Sequence, residues 1–169
     1  MNKNIINQLS LIQELVSMKF DFSNPEFEEE SKEYWACRFT INEKIVLYRK
    51  AKITPTKVGQ FVTLWKRVFN GPIAPFHVDD DFDLVIISTV KENEIGQFVF
   101  PKSVLVSKGI VSTKVKEGKR GFRVYPPWDE ALNKQAIRTQ KWQLNYFLKI
   151  TDGTIDVAKA QELFMLNEN

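Results

Sequence analysis

The run Asp-Leu-Val-Ile-Ile-Ser-Thr-Val at 83–90 constrains this chain most. Its apolar residues follow one another without alternating, and most of them are β-branched. Such a strand must be covered on both faces, which places it in the middle of a sheet. Ile95-Gly96-Gln97-Phe98-Val99-Phe100-Pro101 reads as its returning partner across a hairpin.

Patterning of period two continues on either side. Trp35, Cys37, Phe39 and Ile41 alternate with Ala36, Arg38 and Thr40. Asn42-Glu43 then reads as a turn into Ile45, Leu47 and Arg49. Further strands are expected at 58–69 and 121–125. Helical spacing of Ile5, Ile6, Leu9, Ile12, Leu15 and Val16 predicts an amphipathic helix over about 3–19. The acidic stretch 21–31, with Pro25, reads as a loop or a short helix. Pro126-Pro127 closes the strand block, and Asp129 is placed to cap a helix over 130–148. Thr151-Asp152-Gly153 is a turn, and a short helix over about 155–165 ends the chain. Helix, then strands, then helices argues α+β rather than alternating units. At 169 residues the chain is expected to form one domain over 1–169, burying roughly 70% of its unfolded surface.

Charge is segregated along the chain. Residues 44–70 hold seven Lys/Arg and no acid, whereas 71–94 hold six acids and one Lys. Residues 95–150 are basic again, with eleven Lys/Arg against three acids. The stretch 96–128 sets Lys102, Lys108, Lys114, Lys116, Lys119, Arg120 and Arg123 among Phe98, Phe100, Phe122, Tyr125 and Trp128. Cations neutralise phosphates and flat rings stack bases, so the mixture suits nucleic acid. The same pattern also fits a solvated basic sheet face with its rings turned inward. Arg49-Lys50-Ala51-Lys52 through Lys57, with Lys66 and Arg67, forms a second basic block. Lys134, Arg138 and Lys141 share one face of the helix after Pro127, a basic stripe near Arg123.

Cys37 and His77 are the sole Cys and His. A lone Cys makes no internal disulfide and points to a reducing compartment. One Cys and one His do not build a zinc set. No apolar run is long enough to span a bilayer, and the polar N-terminus lacks a signal-peptide core. A cytoplasmic protein without membrane contact is expected.

One constellation touches nuclease chemistry. Metal nucleases place an Asp on one strand, then an acid and a Lys two residues apart on the next. Asp83 opens one strand and Lys102 closes its partner. The position two before Lys102 is Phe100, however, and the nearest polar substitute is Gln97, five residues away. The alternative is that Asp83 caps a strand and Lys102 meets solvent.

The runs AKITPTKVGQFVTLWKR (51–67), GQFVFPKSVLVSKGIVS (96–112), GKRGFRVYPPWD (118–129) and KQAIRTQKWQLNYF (134–147) resemble the MepB family of small bacterial proteins. The resemblance covers nearly the whole chain. It implies a central mixed sheet flanked by helices, similar to restriction-endonuclease-like nucleases of the PD-(D/E)XK group. It carries the motif aspartate onto Asp83 and the motif lysine onto Lys102, with Gln97 near the place of the missing acid. Mg²⁺ held by Asp83 is the cofactor it implies.

The leading expectation is a nucleic-acid-binding protein, for DNA or RNA, with an altered nuclease motif. Lys57, Lys66, Arg67, Lys102, Lys119, Arg120 and Arg123 would meet phosphates, and Trp65 or Tyr125 would stack a base. The alternatives are an active Mg²⁺-dependent endonuclease and a non-enzymatic partner- or drug-binding protein. The last is motivated by family members encoded beside a multidrug efflux pump.

Overall fold

A computed structural model gives the fold and describes residues 21, 23–151 and 154–165. The helix expected over about 3–19 lies outside the described residues, as does most of the turn at 151–153. In chain order the strands are β1 (Glu26–Phe27), β2 (Cys37–Ile41), β3 (Lys44–Lys50), β4 (Lys52–Ile53), β5 (Gln60–Thr63) and β6 (Trp65–Arg67). They continue with β7 (Ile73–Pro75), β8 (Leu84–Lys91), β9 (Glu94–Pro101), β10 (Gly121–Val124), β11 (Phe147–Thr151) and β12 (Thr154–Ile155). The helices are α1 (Lys102–Ser107), α2 (Lys134–Gln143) and α3 (Val157–Met165). No helix among the described residues is long and apolar enough to cross a membrane.

The main sheet has seven strands in the order β1-β2-β3-β8-β9-β11-β12. Every neighbouring pair is antiparallel except β3–β8, which is parallel, so the sheet is mixed. The α+β class and the central mixed sheet are therefore as expected. β8 takes the middle, and Leu84 through Thr89 are all buried, as the unbroken apolar run requires. The β2–β3 turn puts Asn42 at φ 47° and Glu43 at φ 69°, the paired left-handed conformation of a tight hairpin whose twist matches its strands.

Parallel neighbours need a long crossover. Here the segment between β3 and β8 supplies it, built of strands rather than a helix. β5 pairs with β4 and β10 in a three-stranded sheet, and β6 pairs with β7. This layer covers one face of the main sheet. Leu47, Val85, Ile87, Phe98 and Phe100 meet Val62, Leu64, Phe122 and Val124 there. On the other face Val46, Tyr48, Leu84, Ile86 and Val99 meet Ala160, Leu163 and Phe164 of α3. Alternate residues of each strand thus serve opposite cores. At Gly96 a Cβ would stand 2.1 Å from the Phe147 ring, so only glycine lets β11 lie so close on β9.

Several boundaries differ from the sequence reading. The helix expected over 130–148 is confined to Lys134–Gln143, because Phe147, Leu148 and Ile150 are drawn into the sheet beside β9. Asn133 rather than Asp129 caps it, accepting the Ala136 N–H at 2.8 Å. Asp129 is buried and pairs with Lys91 at 2.9 Å. The expected strand 58–69 breaks at Leu64, whose N–H donates to the Arg120 carbonyl, and its halves join different sheets. The stretch 21–31 contributes the short edge strand β1. Arg49, expected on a basic surface, is fully buried and pairs with Glu28 at 3.1 Å.

Candidate nucleic-acid interface

Pro126-Pro127 ends β10 because proline offers no N–H to a ladder. The chain then turns back into α2, which is tied across the strand's end by two glutamines. Gln143 accepts the Tyr125 N–H at 2.8 Å and donates to the Arg123 carbonyl at 2.9 Å. Gln140 donates to the carbonyls of Tyr125, Pro126 and Asp129. The spacing between β10 and α2 is thus held by the two glutamine side-chain amides bonded to backbone.

The result is a cleft of about 330 Å³ with Lys108, Lys119, Phe122, Arg123, Tyr125 and Trp142 in its walls. A second cavity of about 370 Å³ shares Lys108, Thr139 and Trp142 and adds Arg138 and Lys141. Neither wall contains a carboxylate. Lys108, Lys119, Arg138 and Lys141 are exposed, and none forms an ion pair with a described residue. The Lys108 ammonium lies 5.3 Å from the Trp142 ring centroid, within cation–π range. Trp142 is half-buried and packs on Phe100 with centroids 5.4 Å apart, which fixes its plane. Arg123 is a strut: its guanidinium donates to the carbonyls of Val58 and Gly59 and to the Thr54 hydroxyl. The Tyr125 ring rests on Gly59, where a Cβ would stand 2.7 Å away.

The cleft gathers Lys119, Arg123 and Tyr125 from the residues named in the sequence. The second cavity uses the Arg138–Lys141 stripe. Lys108 against Trp142 was not foreseen as a pair; its only trace in sequence is that both belong to basic, aromatic stretches. Arg120 sits beside the cleft and pairs with Glu117 at 3.0 Å. Lys57 lines a separate cavity of about 400 Å³ whose walls include Lys91, Asp129 and Glu130. Trp65, Lys66 and Arg67 lie on β6. Lys66 pairs with Asp80 at 2.6 Å, and Arg67 pairs with Glu30 at 2.6 Å while its guanidinium lies 5.7 Å from the Trp65 centroid.

The nuclease-like trio is laid out differently. Asp83 and Lys102 do face each other across β8 and β9, and the Lys102 N–H donates to the Asp83 carbonyl at 2.9 Å. Their side chains part. The Asp83 carboxylate accepts the Ile45 N–H at 2.8 Å, closing the start of the parallel β3–β8 ladder. The Lys102 ammonium donates to the carbonyls of Val78 and Asp80, 4.6 Å from the Phe82 centroid. Gln97 is buried further along the same hairpin, paired with Ser88, and donates to its hydroxyl at 3.1 Å. Tyr48 donates to the same hydroxyl at 2.8 Å.

Divalent ions need several converging oxygens. Asp83 brings one carboxylate already engaged by backbone, and Phe100, where an acid would help, is packed against Phe98 and Trp142. Among the described residues no cluster of three His, Cys, Asp or Glu could hold a metal. These residues do not fit Mg²⁺. Nearby, burial works against ionisation of Asp80, but the Lys66 ammonium and the His77 N–H outweigh it and hold the carboxyl below its usual range. Burial pushes the Cys37 thiol up to about 12, which leaves it inert as a nucleophile.

The MepB-like family profile matches residues 28–149. The crystal structure of MepB is 38% identical, covers 88% of this chain and 97% of its own, and superposes with a TM-score of 0.75. The structure of a bacterial homing endonuclease is 15% identical over 82% of this chain and 87% of its own, with a TM-score of 0.47. No curated protein matches. The profile runs from just after β1 into β11, through the sheet, the crossover layer and the cleft alike, and on that extent of agreement this chain belongs to the MepB-like family.

Proposed function

We propose that this protein binds nucleic acid in the cleft between β10 and α2, without cleaving it. One observation carries the reading. Four cations, none paired with a described carboxylate, surround a half-buried Trp142 in the cleft and the second cavity, whose walls hold no acid, although the chain as a whole carries twenty-one. Structural cations elsewhere in the fold, such as Lys66, Arg67 and Lys91, are each matched with a carboxylate. The cations of the cleft are left for a ligand's charge. Phosphates answer that charge, and the faces of Trp142 and Tyr125 answer bases. Little in the walls reads a base edge with fixed geometry, since Gln140 and Gln143 are committed to backbone. The binding is therefore salt-dependent and weakly sequence-selective. Such a binder works in the cytoplasm, where Cys37 stays reduced.

The test is a titration of labelled single-stranded and duplex oligonucleotides, with Mg²⁺ or EDTA, followed by a gel of the same samples. Saturable binding with intact oligonucleotide in both buffers is the expected result. Cleavage that needs Mg²⁺ and disappears in Asp83→Ala would reverse the reading toward a nuclease. Absence of binding at low salt would remove it.

A further inference from the structure

We propose that Phe69, at the tip of the β6–β7 hairpin, is a finger that stacks on an unpaired base of the strand held in the cleft. The inference rests on the cleft reading above. Phe69 is 94% exposed, so the core gains nothing from its ring. It also sits at φ 52°, in the left-handed region that glycine or asparagine occupies more easily. The fold thus holds an aromatic side chain in water on a backbone that disfavours it.

The tip is held firmly. Arg67 donates to the Gly71 carbonyl at 2.8 Å, Gly71 donates back to Val68 at 3.0 Å, and Arg67 is itself anchored by Glu30. A rigid tip keeps a ring presented instead of letting it fold onto the surface.

The hairpin is continuous with the cleft through two adjacent residues. Lys119 lines the cleft, and Arg120 follows it. Arg120 accepts the Leu64 N–H at 2.9 Å and donates to the Ile73 carbonyl at 3.3 Å. Ile73 pairs with Arg67 at the turn end of the hairpin, next to its tip. A strand leaving the cleft past Lys119 therefore runs toward the hairpin. The neighbouring loop adds the exposed cations Lys114 and Lys116. The apolar surface at the tip is one ring beside a half-exposed Val68, about the footprint of a base. A lipid surface calls for a broader apolar face.

The experiment compares a labelled single-stranded oligonucleotide with an abasic strand of the same length and charge. Phe69→Ala is expected to bind the base-bearing strand about tenfold more weakly and the abasic strand as wild type does. Phe69→Trp restores the difference. An equal loss on both strands, or no loss on either, would overturn the finger while leaving the cleft standing. Failure of wild type to bind either strand would remove cleft and finger together. Anionic vesicles provide the last arm: vesicle binding lost in Phe69→Ala, with oligonucleotide affinity unchanged, would make the tip lipid-facing and the finger wrong.

Discussion

Neutralising two cations of the cleft should change how binding responds to salt, not only how strong it is. Lys108, Lys119, Arg138 and Lys141 are the four exposed, unpaired cations of the two cavities. Arg123 is left out of the count because its guanidinium is already committed to Val58, Gly59 and Thr54. Each phosphate neutralised on a single strand contributes about 0.7 to the slope of log affinity against log salt, so wild type should show a slope near about −2.8. Raising salt from about 50 to about 200 mM then weakens binding roughly fiftyfold. Lys108→Gln with Lys119→Gln leaves two contacts, a slope near about −1.4, and roughly a sevenfold loss over the same interval. Anisotropy titrations at four or more salt concentrations measure the slope, and circular dichroism checks that the variant is folded. Lys57→Gln is the control: its cavity is shared with Asp129 and Glu130, and its slope should match wild type. A double variant with the wild-type slope, or a Lys57 variant with the reduced one, would refute the assignment of the surface.

Phe100→Asp, which restores an acid two residues before Lys102, should unfold the protein: losing the buried ring alone costs about 3–5 kcal/mol, and a buried carboxylate adds to that. Urea melts give the answer, and a folded variant with Mg²⁺-dependent cleavage would contradict the packing argument. Glu28→Ala strands the buried Arg49 guanidinium and should cost about 1–3 kcal/mol after allowance for the part-exposed carboxylate, whereas Arg49→Met should be close to neutral. Equal losses in the two variants, read from denaturant midpoints, would count against that account. Asp80 has its carboxyl held below the usual range, so its contribution is complete above about pH 3.9 and fades as pH falls through the lower folded value. The stability gap between wild type and Asp80→Asn should therefore shrink on acidification below about pH 4; a gap independent of pH would show that the Lys66 pair adds nothing.

Much of the sheet is legible because burial on two faces leaves a pattern that water enforces. The run at 83–90 became the central strand, and Asn42-Glu43 became the predicted turn between β2 and β3. The end of α2 was not legible. Phe147-Leu148-Lys149-Ile150 has apolar residues compatible with either period, and pairing with β9 decides for the strand. Nor does sequence show partners. Arg49 reads like Lys50 and Lys52 beside it until Glu28, twenty-one residues away, is seen as its partner. The cleft was half-legible for the same reason. Basic and aromatic residues were visible along 96–128 and 134–142, but which of them lack a carboxylate is a three-dimensional fact.

The parallel β3–β8 pair explains why the cleft, and not the Asp83–Lys102 corner, is the open site. That pair forces a long crossover, and the crossover returns through residues 77–82 just before β8 begins. The returning loop passes over the end of β9. Its Val78 and Asp80 carbonyls take the Lys102 ammonium, and the Phe82 ring lies beneath it. Asp83, the next residue, must start the parallel ladder, and its carboxylate does so on the Ile45 N–H. Both groups that phosphoryl chemistry would need there are thus holding the crossover to the sheet. Lys108, Lys119, Arg138 and Lys141 carry no such duty, because Gln140 and Gln143 do the structural bonding with neutral amides. A charge-neutral scaffold beneath these four cations leaves their charge available to the phosphate chain proposed as the ligand.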